Sequence, residues 1–326
     1  MFPALEAISA DAIEADVAVL SGEVPLADGP IVSRDLHHPD LARAQAWLVD
    51  RAGAIDGLVV RTEPFDVDVA GALPGVANVI AELPGDPDQP WIVVGAHYDS
   101  IASFDDAWED PTTQPAPGAD DDASGAAALL ALASALAADA NGFRHPIRFV
   151  WFSAEEYGLL GSVAHVAGLD APVAAMIQLD PVGYDPGDAA YLWVVRDETS
   201  GPLGDRFAAA ATDAGAGVDV VVIDAEDIGG DARSDHHPFW EAGIPALHLA
   251  SFPQPPTYHT MGDTLDNVDP TFTHEVAVAV GQLVVDLAEP RTAEAPAGCG
   301  CDAAGAPWGP LLPLGGLVAR RRRRPA

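Results

Sequence analysis

Strands that alternate with helices predict an α/β protein of three layers, α/β/α, built on a mixed sheet that is parallel at its centre. The sheet is indicated by short apolar runs, WIVV at 91–94 and IRFVWF at 147–152, which have the length and composition of buried strands. The outer layers are indicated by an Ala/Leu-rich segment at 124–138, typical of a helix that packs closely on a sheet. No internal repeat or linker divides residues 1–290, which we interpret as one domain.

Near its start, the chain has an amphipathic segment that predicts a helix over Ile13–Leu20 with Asp11 as its N-cap. Alternating residues at 57–70 and 76–83 predict two strands that pair as an antiparallel hairpin at one edge of the sheet. The other predicted strands are 91–96, 147–153, 173–179, 190–195, 218–224 and 245–250. The other predicted helices are 40–53, 124–138, 159–168, 203–214, 236–242 and 271–288.

The composition is strongly acidic. The formal charge is −35, from 15 basic and 50 acidic residues, and every basic residue is an arginine. Such a charge repels nucleic acids and anionic lipids, so neither is expected as a partner. An acidic surface without lysine favours adaptation to high salt, where screening reduces self-repulsion; a coding bias toward arginine is the alternative explanation. The content of 49% hydrophobic residues is enough for a sizeable core.

Polar clusters follow the ends of several predicted strands. Taken singly, each has an ordinary explanation, such as aspartates that cap a helix. Carboxylates beside buried strands are costly, however, unless they are paired or coordinated. Because ligands in open α/β sheets collect at the carboxyl ends of the strands, the clusters together predict a metal site there. They are His97 with Asp99, Asp120–Asp122, Glu155 with Glu156, Asp180, and Tyr258 with His259.

These residues and their surroundings resemble the zinc exopeptidases of clan MH, which include bacterial leucyl aminopeptidases, glutamate carboxypeptidases and glutaminyl cyclases. The resemblance covers about residues 40–288, and its motifs recur in order with compatible spacing. It implies a zinc aminopeptidase-like fold, in which helices flank a mixed sheet that is mostly parallel in the centre. The matching motifs are GAHYDS, PGADDDASGAAALL, IRFVWFSAEEYGLLGS, QLDPVG, SDHHPFWEAGIPALHL and YHTMGDTLDNVD.

The resemblance also implies the ligands of two zinc ions. The first ion would be held by His97, Asp121 and Asp180. The second would be held by Glu156 and His259, with Asp121 bridging the two ions. A carboxylate-rich site of this kind would also accept Mn or Co.

Some positions depart from the family pattern: Met261-Gly262 replace the usual Pro-Asp after YHT, and Pro181 follows Asp180, but neither change removes a ligand. Asp120 stands where the family has asparagine, so three aspartates follow one another. We assign the bridging role to Asp121 from its place before Asp122-Ala123-Ser124-Gly125. The resemblance implies a cis peptide bond after this bridging aspartate.

Other residues receive supporting roles in this interpretation. By the resemblance, Glu155 would be the general base that takes a proton from the attacking water and returns it to the leaving amine. Tyr258 would donate a hydrogen bond to the developing oxyanion. Asp99, two residues from His97 on the same strand face, would accept the second ring N–H of that histidine and orient it. Asp235 belongs to an SDH motif and would support the site without binding metal.

The activity implied is release of N-terminal residues from peptides with a free N-terminus, whose ammonium group the acidic site would anchor. A carboxypeptidase of the same fold is an alternative, and a one-zinc glutaminyl cyclase is disfavoured because both sets of ligands are present. An alternative from another class is a non-catalytic, surface-displayed binding module that keeps metals for stability. Glu155 favours the enzyme, because a binding module needs no base beside a ligand. The sequence leaves the oligomeric state open.

The end of the chain differs in composition from the rest. Residues 291–305 are mostly small and turn-forming and predict a linker, which contains both cysteines, Cys299 and Cys301. Residues 306–326 combine an apolar stretch with an arginine cluster, and with the cysteine motif they resemble a myxobacterial-type C-terminal sorting tail. That resemblance implies an exported protein, at the cell surface or extracellular, with C-terminal sorting machinery as a partner. No signal peptide follows Met1, so export implies a true start upstream.

Overall fold

The middle layer is a mixed sheet of eight strands. The computed structural model of the chain describes residues 1–139, 141–187 and 190–291. The strands are Val59–Pro64 (β1), Ala77–Leu83 (β2), Trp91–His97 (β3), Ile147–Phe152 (β4), Val173–Leu179 (β5), Tyr191–Arg196 (β6), Val220–Asp224 (β7) and Ala246–Phe252 (β8). Their order across the sheet is β1-β2-β4-β3-β5-β8-β6-β7.

The centre of the sheet is parallel. Strands β4, β3, β5 and β8 run in the same direction, whereas β2 is antiparallel to both β4 and β1. On the other side, β6 is antiparallel to β8 and parallel to β7. This arrangement confirms the predicted mixed sheet and the predicted edge hairpin of β1 and β2. It also places the carboxyl ends of β3, β4 and β5 side by side, where an open α/β sheet binds its ligands.

Helices cover both faces of the sheet and complete the predicted three layers. They are Ala10–Leu20 (α1), Asp40–Gly53 (α2), Gly125–Ala137 (α3), Leu160–Ala167 (α4), Gly201–Ala214 (α5), His237–Glu241 (α6) and Pro270–Ala288 (α7). Helix α3 contacts α1, α2 and α7 on one face, and α4 contacts α6 on the other. A larger and a smaller hydrophobic core lie on the two faces of the sheet, and the strands contribute to both because alternate side chains point to opposite faces. Val94 packs in the larger core and Val93 in the smaller one.

Helix α3 packs closely against the sheet at its first residue. A Cβ atom on Gly125 would lie 2.6 Å from the main-chain oxygen of Leu179 and 2.5 Å from the carboxylate of Asp122. Only glycine leaves room for this approach. The start of α3, with the aspartates before it, therefore lies against the end of β5, which is followed by Asp180.

Two local predictions are wrong. The N-cap of α1 is Ser9, whose Oγ accepts a hydrogen bond from the N–H of Ala12 at 3.4 Å, so Asp11 lies inside the first turn. The strand predicted over 57–70 extends only from Val59 to Pro64, because its partner β2 is no longer than Ala77–Leu83.

The carboxyl-terminal predictions fall mainly outside the described residues. Of the predicted linker over 291–305 only Arg291 is described, and the predicted tail over 306–326 is not. Among the helices described, none has both the length and the apolar content that a membrane span requires.

Candidate metal centre

Side chains from five segments meet at the carboxyl edge of the parallel strands. They arrive there because each follows a buried strand or precedes a helix that starts at this edge. The structure brings together every residue that the sequence places in the metal site. These are His97 at the end of β3, Asp121 before α3, Glu155 and Glu156 after β4, Asp180 after β5, and Tyr258 with His259 after β8.

Asp121 lies between two histidines. Its Oδ1 is 3.1 Å from Nε2 of His97, and its Oδ2 is 2.9 Å from Nε2 of His259. Each histidine also meets a second carboxylate: His97 Nε2 is 3.2 Å from Asp180, and His259 Nε2 is 3.1 Å from Glu156. Donor atoms about 2.0–2.2 Å from a tetrahedral ion lie roughly 3.3 Å from one another. The two groups therefore have the spacing of two metal sites that share Asp121.

The hydrogen bonding of His97 favours a cation at this place. Its Nδ1 is 3.2 Å from the main-chain oxygen of Asp99, which can only accept, so Nδ1 carries the proton of the neutral ring. Nε2 faces the carboxylates of Asp121 and Asp180. Although burial opposes it, these carboxylates and Glu155 raise the pKa of His97 well above its usual value, so a proton on Nε2 lies between the anions in the metal-free protein and a bound cation would take its place.

The second group of donors also fits a metal ion. Among the described residues, Oε1 of Glu156 is buried without a hydrogen-bond donor. This orphaned oxygen costs free energy unless an ion or a water satisfies it. Carboxylate and imidazole donors in this number suit Zn²⁺, and Mn²⁺ or Co²⁺ are chemically compatible.

The electrostatics of the metal-free centre show an excess of buried negative charge. Burial, with repulsion from Asp121, raises the pKa of the Glu156 carboxyl to about 8. Although burial opposes it, hydrogen bonding to Asp121 and Glu156 raises the pKa of His259 to about 10. Without metal, the centre therefore takes up protons that bound cations would replace.

Asp99 is placed differently from the prediction. Its nearest carboxylate oxygen is 3.7 Å from Nδ1 of His97, too far for a hydrogen bond, and its main-chain oxygen accepts from that ring instead. The carboxylate accepts the main-chain N–H groups of Glu155 and Glu156, at 3.1 and 3.2 Å. Asp99 therefore orients His97 through its main chain and holds the glutamate turn through its side chain.

Glu155 lies in the centre but outside both groups of donors. It is 7% exposed, and its turn is fixed by Asp99 and by the left-handed backbone of Ala154, at φ 60°. Burial raises the pKa of its carboxyl well above the usual value in the metal-free protein. A buried carboxylate without a ligand role is costly, and such groups are typical of catalytic acids and bases.

Tyr258 stacks on His259, with ring centroids 3.8 Å apart. Burial, with the surrounding carboxylates, raises the pKa of its hydroxyl far above 10, so the O–H proton is retained. The ring also lines a cleft that Asp180, Trp193 and Phe252 line as well. Tyr258 can therefore donate a hydrogen bond to a ligand in this cleft.

Two residues that sequence reasoning missed hold the donors in place. Ser234 Oγ donates to Oδ2 of Asp180 at 2.5 Å. The carboxylate of Asp263 accepts the N–H groups of Asp120 and Asp121, each at 3.0 Å. Ser234 belongs to the SDH motif and Asp263 to the YHTMGDTLDNVD motif, so both could have been found there.

Asp235, the other supporting residue of the prediction, is fully buried beneath the centre. It accepts a hydrogen bond from Nε2 of Gln178 at 3.3 Å, and burial raises its pKa to about 7.

The peptide bond between Asp121 and Asp122 is cis, as the resemblance implied. Asp120, at the place of the family's asparagine, accepts the N–H of Gly183 at 2.7 Å.

A further buried cluster adjoins the centre but is held by hydrogen bonds. His248 Nδ1 is 2.7 Å from Asp231, and its Nε2 is 2.8 Å from the main-chain oxygen of Asp180. Asp231 also accepts from Nε of Arg233 at 2.9 Å and is therefore ionised. Since both partners of His248 only accept, this ring carries both protons and has no lone pair for a metal.

The fold, with clustered histidines and carboxylates at its carboxyl edge, is that of an α/β metallohydrolase. The family model of peptidase family M28 matches residues 78–284 of the chain. The chain therefore belongs to peptidase family M28.

Individual relatives agree with this assignment. The uncharacterized protein YfbL of Escherichia coli K12 is 31% identical over 234 residues, which cover 64% of this chain and 70% of YfbL. Leucine aminopeptidase 1 of Sclerotinia sclerotiorum is 33% identical over 66% of this chain, but the chain spans only 56% of that relative's length. The LapA aminopeptidase of Legionella pneumophila, at 23% identity, shares the fold with a TM-score of 0.72 over 88% of this chain and 74% of LapA.

Proposed function

We propose that the protein is a metal-dependent aminopeptidase that releases N-terminal residues from peptides at a dinuclear zinc centre. The observation that carries the proposal is the position of Asp121, which offers one oxygen to the group of His97 and the other to the group of His259. The family and a leucine aminopeptidase relative support the reaction class. Bound zinc would polarise the scissile carbonyl and make the attacking water more acidic.

The residues that would hold the two ions divide between the two groups. His97 and Asp180 would bind one ion, Glu156 and His259 the other, and Asp121 both. Ser234 and Asp99 fix the directions of these donors by the hydrogen bonds described above.

Glu155 would move the proton in this reaction. It borders the centre without a ligand role, and Asp99 fixes the turn that carries it. Its carboxylate would accept a proton from the attacking water and deliver it to the nitrogen of the leaving amine. Tyr258, which keeps its O–H proton, would donate a hydrogen bond to the oxygen of the carbonyl under attack.

The substrate would lie in the cleft beside Asp180 and Tyr258. Trp193 stacks on Phe252 at 4.0 Å and forms an apolar wall suited to the side chain of the N-terminal residue. The excess of carboxylates at the centre would bind the free ammonium group of the peptide. This ammonium requirement is what distinguishes an aminopeptidase from the carboxypeptidase alternative.

The proposal is tested with free and N-acetylated aminoacyl anilides, with chelator and with added Zn²⁺. We expect chelator-sensitive cleavage of the free-amine substrates alone. Glu155→Gln should lower kcat by 10²-fold to 10⁴-fold with unchanged metal content, because it removes the proton acceptor and leaves the ligands. Glu14→Gln, an exposed change on α1, is the matched control. Two bound metals without cleavage of any anilide would favour the other candidates: cleavage of an N-acylated peptide with a free carboxyl terminus would then indicate the carboxypeptidase, and no cleavage of that peptide the binding module.

Export is a separate part of the proposal. It is supported by the order of the Cys motif, apolar stretch and Arg cluster after residue 298, with sorting machinery as the partner. Mass spectrometry of the mature protein from cells tests it: a carboxyl terminus near Cys299 supports surface sorting, and an intact arginine cluster contradicts it.

A further inference from the structure

Arg34 lies at the inner side of the metal centre, outside the residues matched by the family model. It is fully buried. Its Nε donates to the main-chain oxygen of Tyr98 at 2.6 Å, and its Nη2 donates to that of Gly118 at 2.9 Å. Its Nη1 donates to the main-chain oxygens of Leu20 and Pro117, at 2.8 and 2.5 Å.

The four acceptors belong to three separate segments, two of which carry proposed ligands. Tyr98 directly follows His97, and Gly118 lies three residues before Asp121. The Gly118 oxygen also accepts the N–H of Ala123 at 3.1 Å, which closes the turn around Asp121. One rigid guanidinium group therefore connects the segment that carries His97 with the segment that carries Asp121. The donor atoms of these two residues lie 3.1 Å apart at the first metal site.

The packing around the guanidinium leaves little freedom. A Cβ atom on Gly118 would lie 2.9 Å from Nη2 of Arg34 and 2.3 Å from the main-chain oxygen of Asp121. The main chain of Arg34 is itself fixed to Ser100, which accepts its N–H at 3.2 Å and donates to its oxygen at 3.3 Å. Movement of Arg34 would therefore move the strand end and the aspartate turn relative to each other.

The positive charge of Arg34 is not paired with a single carboxylate, because the hydrogen bonds of its side chain go to main-chain oxygens. Burial lowers its pKa to about 10, opposed by the carboxylates of Asp263 and Asp122, so it stays charged at neutral pH. A buried positive charge here offsets part of the negative charge of the centre whether or not metal is bound.

We propose that Arg34 is a positioning residue of the metal centre: it sets the placement of His97 relative to Asp121 and so determines how tightly the first metal ion is bound. The inference rests on the proposed dinuclear site. It gives the amino-terminal segment before α2 a part in that site.

The test compares Arg34→Lys with Arg148→Lys. Lysine keeps the charge but replaces the planar fork by a single ammonium group, which cannot reach all four oxygens. Arg148 is a matched control: it is 4% exposed and bonded to Glu82, but it lies near the start of β4, away from the centre. Metal affinity is measured by competition with a chromogenic chelator, the ligand field from the absorption spectrum of the Co²⁺ form, and folding from thermal unfolding.

We expect Arg34→Lys to weaken binding of one metal ion at least tenfold and to change the Co²⁺ spectrum. Arg148→Lys should leave the affinity within about threefold and the spectrum unchanged, even where it lowers Tm equally. Unaltered affinity and spectrum in Arg34→Lys would overturn the inference, as would an equal loss in Arg148→Lys.

If Arg34→Lys does not fold, Ser100→Ala decides, because it removes the hydroxyl that accepts the Arg34 N–H and that donates to the main-chain oxygen of Ala116. A threefold or greater loss of affinity then supports the inference, and an unchanged affinity overturns it. An unmutated protein that binds no metal refutes the proposed function itself. Tight binding by the unmutated protein and by Arg34→Lys alike refutes only the role of Arg34.

Discussion

Removing the metal ions should make the stability of the fold decrease as pH rises. The reason is the sign of the pKa shifts at the centre. Burial raises the pKa of Glu156 from 4.5 to about 8, so the folded chain holds this proton more tightly than the unfolded chain. Its contribution is complete below pH 4.5 and is lost as pH rises through 8. His259, whose pKa is raised from 6.5 to about 10 by Asp121 and Glu156 against the effect of burial, acts in the same direction.

The magnitude follows from Glu156 alone. Each pH unit between the unfolded and folded pKa values changes the free energy of unfolding by about 1.4 kcal/mol. Between pH 6 and pH 9 the loss is therefore about 3 kcal/mol, since titration is largely complete above the folded pKa of about 8. His259 increases this loss. Because a domain is stable by only about 5–15 kcal/mol, the effect is large.

The assay is urea unfolding at pH 6, 7, 8 and 9, with chelated protein and with protein saturated with Zn²⁺. Bound metal replaces the protons, so the saturated protein should show little of this decline. Glu156→Gln should flatten the chelated profile by roughly the contribution of one carboxyl, and the exposed Glu14→Gln should not alter it. Chelated protein that is as stable at pH 9 as at pH 6 would refute the argument that the centre buries excess negative charge.

Further predictions concern single contacts. Tyr258→Phe removes the proposed oxyanion donor and should lower kcat about 10²-fold with little change in KM, as steady-state kinetics will show. If Tyr258→Phe raised KM as strongly as it lowered kcat, the result would contradict this role. Ser234→Ala removes the hydrogen bond to Asp180 and should weaken metal binding 10-fold to 100-fold in chelator competition. Affinity equal to that of the unmutated protein would show that Asp180 needs no such support.

The sequence predicts the centre of the sheet better than its edge. Strand β3 contains the apolar run WIVV and β4 the run FVWF, and such runs are typical of central strands that are buried on both faces. Strand β1 is exposed on one side, so its alternating pattern continues beyond the six residues that pair with β2. Its end is set by the partner strand, which local sequence cannot show.

The predicted ligand residues share a signal that Arg34 lacks. His97 and Asp180 stand directly at the ends of apolar runs, where a polar side chain is conspicuous. Arg34 stands in an ordinary polar segment, and nothing near it in sequence marks it as buried. Its acceptors are main-chain oxygens from residues 20, 98, 117 and 118. Because every residue has a main-chain oxygen, the amino-acid sequence does not indicate which of them accept from Arg34.

The same reasoning explains why Glu155 separates an enzyme from a binding module. Ligand carboxylates regain their desolvation energy when metal binds, but Glu155 is buried and belongs to neither group of donors. Its raised pKa, caused mainly by burial, means that the ionised side chain destabilises the fold at neutral pH. Glu155→Gln should therefore raise the urea midpoint at pH 8 while it lowers kcat by 10²-fold to 10⁴-fold, a trade of stability for activity typical of catalytic groups. A chain that only bound metals would gain stability from glutamine here and lose nothing.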